Sequence, residues 1–171
     1  PSKENKNSSP WNIFSNFFEE SVKDVFNNLD KYDNFEKLII IYDNNIRLIK
    51  KDFNNNNIMY DLFKKKMLHL VNEYKNNFSE VLIKNFYINP ETSIDIIKFI
   101  NDKDYFFSKY IQKLEGKLLS DDFDLSIEKK IVKLIEKDYK NQYTNQINTI
   151  IHDINNNEMY NKDLNTNVLT N

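Results

Sequence analysis

The stretch INDKDYFFSKYIQKLEGKLLSDDF, from Ile100 to Phe123, decides the class of fold because its apolar residues recur three and four positions apart. Phe107, Tyr110, Ile111, Leu114 and Leu118 fall on one stripe, which predicts a helix from about Lys103 to Leu119 with that face buried. Acidic residues flank it, Asp102 and Asp104 at the start and Asp121, Asp122 and Asp124 at the end, and the single glycine of the chain is Gly116. An Asp-x-Asp pair can hold a metal and a nucleotide diphosphate, and the second group can be read as the opening of a calcium loop. Counted from Asp122, however, the sixth and twelfth positions are Ile127 and Lys133, where such a loop requires glycine and a bidentate glutamate. Carboxylates are favoured at helix starts by the exposed N–H groups and the helix dipole. Both groups therefore read as caps, and the stretch reads as a structural junction.

The same spacing runs through most of the chain while strict alternation is rare, so the expected fold is all-α. Residues 1–10 read as a disordered leader, with Ser9 and Pro10 as N-cap and first helical residue. The first helix carries Trp11, Phe14, Phe17, Phe18, Val22, Val25, Phe26 and Leu29. DNFE at 33–36 has the form of a capping box and opens a second helix to about Lys51, with Phe35, Leu38, Ile39, Tyr42, Ile46 and Ile49 inward. DFNNNN then breaks the chain, because Asn side chains compete for backbone groups and tolerate turns. A third helix is expected from Ile58 to Tyr74, a short one over 78–87, and a fifth capped by Asn89 and Pro90 that reaches Phe99. From Leu125 a long helix carries Ile127, Ile131, Leu134 and Ile135; it meets the polar DYKNQYT, which predicts a kink or division, and resumes at Ile147, Ile150, Ile151 and Ile154.

Composition removes several functions. With 40% hydrophobic and 14% aromatic residues in 171, and no alanine, the chain has the large side chains to build a core. The net charge is −2 and Arg47 is the single arginine, so no electrostatic argument for nucleic acid exists. The absence of cysteine excludes disulfides, thiolate nucleophiles and zinc ribbons. One glycine cannot supply a phosphate-cradling loop or a nucleophile elbow. His69 and Glu73 share a helix face but lack a third ligand at a recognisable spacing. His152 and Asp153 lack a nucleophile, and Lys64, Lys65 and Lys66 read as a solvated face. No apolar run approaches the roughly 18–20 residues of a membrane span, and the polar first residues are no targeting signal, so no membrane partner and a place in cytoplasm and nucleus are expected. The missing initiator Met and the ending NTNVLTN suggest a piece of a longer protein.

Taken in order, three segments resemble the cullins, the elongated scaffolds of multisubunit ubiquitin ligases. YDNNIRLIKKDFNNNNIMYDLFKKKMLHLVNE at 42–73 is similar to the family's segment around FNND. IIKFINDKDYFFSKYIQKLEGKLL at 96–119 is similar to its most recognisable stretch, built on DKD and a following aromatic helix. SIEKKIVKLIEKDYKNQYTNQINTIIHDI at 126–154, with NKDLN at 161–165, is similar to the segment that ends in KDLN. The chain departs from the pattern at LEGKL, where the family has LAKRL, at Lys140 and Asn141, where it has CG, and in a shorter connection around Asn85 to Thr92.

The resemblance implies a last cullin repeat over 11–87 and the first part of the cullin homology four-helix bundle over 88–171. It implies a non-catalytic scaffold, without cofactor, metal or small-molecule substrate. The partners it implies are a small RING-finger protein and a substrate adaptor, held by parts of the parent outside this chain, so no catalytic or partner-binding residue is carried over. A stand-alone helical interaction module is the rival expectation, and an enzyme built on the acidic pairs is a third.

Overall fold

The computed structural model describes residues 10–54, 56–117, 123–139 and 141–168, apart from the side chains of Pro10, Trp11, Tyr32, Asn141 and 157–168. The expected leader, the side chain of Trp11, Leu118 of the expected buried stripe, and Asp121 and Asp122 as caps all lie outside what is described. Among the described residues the chain is all-α: α1 (Pro10–Asn27), α2 (Tyr32–Lys51), α3 (Asn57–Asn72), α4 (Phe78–Asn85) with a 3-10 turn (Phe86–Ile88), α5 (Pro90–Ile97), α6 (Lys103–Lys117), α7 (Leu125–Tyr139) and α8 (Asn141–Val168). Two compact units divide between Lys103 and Asp104, C-terminal to the 87–88 boundary that the resemblance implies.

The first unit is organised by rings. Phe63 on α3 meets Phe18 of α1 at 5.1 Å, Tyr42 of α2 at 5.5 Å and Phe99 at 6.4 Å. Phe14 near the start of α1 reaches Phe53, just past the end of α2, so α1 and α2 run antiparallel, while the contacts of Phe18 with Phe63 and Phe26 with Tyr74 set α1 and α3 parallel. Edge-to-face geometry prevails, as ring quadrupoles favour. Residues 88–103 join this unit through Phe99, through Thr92 Oγ1 donating to Asp43 Oδ1 at 2.8 Å, and through Asn72, whose Nδ2 donates to the Phe99 carbonyl and whose Oδ1 accepts from the Asn101 N–H.

Breaks and caps follow the sequence in most places. DFNNNN ends α2, Asn54 takes a left-handed φ of 48°, and Asn56 accepts from the N–H groups of Ile58 and Met59 to cap α3. Asn89 accepts from Thr92 N–H, with Pro90 in the first turn. The box at 33–36 is corrected: Lys31 occupies the N-cap without a side-chain bond, and Asp33 sits inside the first turn. The α1–α2 turn closes instead on Asn28, whose carbonyl accepts from Lys31 N–H and from Asn34 Nδ2, and this starts the helix early. Phe17, one of the apolar residues of the first helix, faces solvent. It is 65% exposed, because the inward face of α1 is set by Phe14, Phe18, Val22, Val25 and Phe26.

In the second unit α7 and α8 form an antiparallel hairpin, marked by Asn148 bonding Glu136 and Lys129 bonding Asn155. The polar run expected to kink or divide the long helix separates α7 from α8. Phe107 of α6 stacks on Tyr143 of α8 at 4.0 Å and meets Tyr139 of α7 edge-on at 5.4 Å. The buried face of α6 is Phe106, Phe107, Tyr110 and Leu114, so Phe106 joins the expected stripe and Ile111 is only half-buried. On α7 the named apolar residues Ile131 and Ile135 are buried together with Glu128 and Val132, while Leu134 is half-buried and Ile127 is 42% exposed.

Candidate functional site

The structure separates the acidic residues that the sequence placed together. Asp102 immediately precedes α6, at its N-cap position, whereas Asp104, in the first turn, accepts a hydrogen bond from Tyr143 Oη at 2.8 Å. Asp104 therefore ties α6 to α8. Asp124 caps α7, accepting from the N–H groups of Ser126 at 2.8 Å and Ile127 at 3.2 Å while its carbonyl takes that of Glu128. Its bonds with Ser126, then with the Ile127 N–H, hold its carboxyl below the usual carboxylate range.

His69 and Glu73 lie on α3 and just beyond it, both exposed, at the rim of a cavity of about 190 Å³ shared with Phe26, Asn27, Leu70, Tyr74 and Lys75. Among the described residues no three His, Asp or Glu side chains gather as a metal site would require. His152 Nδ1 stands 3.8 Å from Asp153 Oδ1 and 3.2 Å from Asn156 Nδ2, all on α8 and exposed to half-buried. Of the three lysines in the basic run, Lys64 and Lys65 are exposed, but Lys66 bridges to Glu19 of α1. That bond and charge pull the Glu19 carboxyl below its usual range.

The polar cluster with most structure around it is one that sequence reasoning passed over. Glu128 is 1% exposed, and its Oε2 accepts from Tyr110 Oη at 3.0 Å, with Lys117 Nζ 3.8 Å from Oε1. Lys113 lies on the same face of α6, one turn from Lys117 and from Tyr110. Burial chiefly, then the like charge of Lys117, holds the Lys113 amine below the usual lysine range, while Glu128 acts in the opposite sense. A buried carboxylate needs such donors, because an ion left unpaired in the interior costs far more than its contacts return. The signal was present in the sequence. Glu128 precedes Ile131, Val132 and Ile135 by three, four and seven residues, the spacing of one helix face.

An open groove of about 640 Å³ lies between α7 and α8, floored by Val132 and Ile151 and rimmed by Lys129, Lys133, Glu136 and His152. Among the described residues no helix is long and apolar enough to cross a membrane. Comparison with protein-family models, with curated proteins and with solved structures returns no match for this chain.

Proposed function

We propose that this chain is a rigid helical scaffold segment of cullin type, which serves ubiquitin transfer by holding other proteins at a fixed separation and performs no covalent step of that transfer itself. The observation that carries the reading is the helix behind DKD. Asp102 stands at its N-terminal boundary, α6 begins at Lys103, and Phe106, Phe107, Tyr110 and Leu114 are buried, so the segment most like the family serves as packing. A large-residue core also fits the role, since stiffness raises the effective concentration of two tethered partners. A place in cytoplasm and nucleus, and partnership with a RING-finger protein and an adaptor, belong to the same proposal.

The test is native affinity purification of the full-length protein that contains this chain, followed by mass spectrometry. A stoichiometric small RING-finger protein, with a mass shift from a ubiquitin-like modifier on the scaffold, is the expected result. Recovery of other partners with neither feature overturns it. The second reading is a helical interaction module unrelated to ubiquitin transfer. It predicts that second outcome.

A further inference from the structure

The outward face of α1 carries side chains that its own packing does not use. Ile13 and Phe17 are 59% and 65% exposed, and Glu20 and Asp24 continue their stripe at spacings of three and four. Neither carboxylate forms an ion pair among the described residues, and Lys66 is taken by Glu19. On α7 and α8 the apolar floor of Val132 and Ile151 lies open beside Lys129 and Lys133. Lys129 bonds to the neutral Asn155, and Lys133 forms no ion pair among the described residues, the nearby Glu136 accepting from Asn148. The groove between α6 and α8 offers such a stripe no counter-charge, since the charged residues that line it are Asp104 and Glu115.

We propose that the groove between α7 and α8 seats α1 of a second copy of this chain. Register and charge agree. Glu20 follows Phe17 by three residues and Lys129 precedes Val132 by three, so a helix laid antiparallel to α7 brings Phe17 onto the floor of Val132 and Ile151 with Glu20 beside Lys129. Lys133 flanks the same floor and sets a second cation against the two carboxylates. The two surfaces differ, so the contact is head-to-tail: a copy that gives its α1 keeps its own groove open for another. A single helix in a groove lies at the small end of interfaces, and the association is accordingly weak and sensitive to concentration and salt.

The experiment is sedimentation equilibrium of the intact chain over a wide range of concentration, at low and at high salt. The average mass is expected to rise above that of one chain as concentration rises, and to rise less in high salt. Phe17→Ser and Lys133→Glu alter exposed residues, and each is expected to lower the association constant at least about tenfold. Mixed one to one, the two variants are expected to regain a pair, because the first keeps its groove and the second keeps its α1 face. Circular dichroism establishes that both are folded. A chain that stays monomeric throughout leaves the groove to a different protein and overturns the proposal. Association that neither substitution weakens overturns it too, as does a mixture that associates no better than the separate variants.

Discussion

In the first unit the buried polar side chains Asn45, Asn85 and Ser93 bond to nearby carbonyls, those of Ile41, Val81 and Phe86, and Thr92 reaches Asp43 on another element, whereas in the second Glu128 carries a carboxylate inward and depends on α6 for its donors. The two asparagines satisfy themselves within their own helix four residues back. Such groups are tolerated wherever the helix forms, and they ask little of the neighbouring elements. A buried carboxylate asks for a donor and a counter-charge on another element, so it is sensitive to how that element is placed. The contrast shows where to look for chemistry in an all-helical chain: at the buried group whose partners come from elsewhere.

The largest expected effects test whether the ring cores themselves are equivalent. Phe63→Ala in the first unit and Phe107→Ala in the second each empty a fully packed site and are expected to cost about 3–5 kcal/mol in denaturant unfolding. A Phe107 variant that melts like the parent breaks the account of α6 as core. The polar contrast comes next. Glu128→Ala is expected to cost about 1–3 kcal/mol by leaving Tyr110 Oη without its acceptor, and Glu128→Gln, which keeps an acceptor there, to cost less. Equal losses would remove the tyrosine bond from the explanation.

Caps provide a smaller and more local comparison. Asn56→Ala and Asn89→Ala are each expected to cost about 1 kcal/mol, measurable as shifts in urea midpoint, because each leaves helix N–H groups unsatisfied. In the second unit Gly116→Ala is expected to stabilise by roughly 0.5–1 kcal/mol. Gly116 lies in α6 without a positive φ, and an added Cβ meets nothing within 4 Å.

The smallest effect concerns Glu19 and Lys66. The folded carboxyl is held below its unfolded value, so its contribution is present above the unfolded carboxylate range and is lost as pH falls through the folded value. Because the pair is exposed, Glu19→Gln is expected to cost only about 0.2–1 kcal/mol at neutral pH, less in high salt, and nothing in strong acid. A cost that persists in acid would assign the effect to packing.

Spacing alone determined that this chain is helical, where most helices begin and end, and most of the face by which α2 and α6 hold the core. Those features are legible because they are local: Asn56 and Asn89 cap the residues that immediately follow them, and a three-to-four spacing needs no knowledge of neighbours. Tertiary structure decided which residues at the margins of those faces turned inward. It exposed Phe17 and Ile127, buried Phe106 and Glu128, sent Asp104 to Tyr143, and gave Lys66 a partner 47 residues away. A rotation of one residue about a helix changes the local pattern little, but it changes every contact across the interface. Only the neighbouring element, by what it offers a ring or a carboxylate, fixes that rotation.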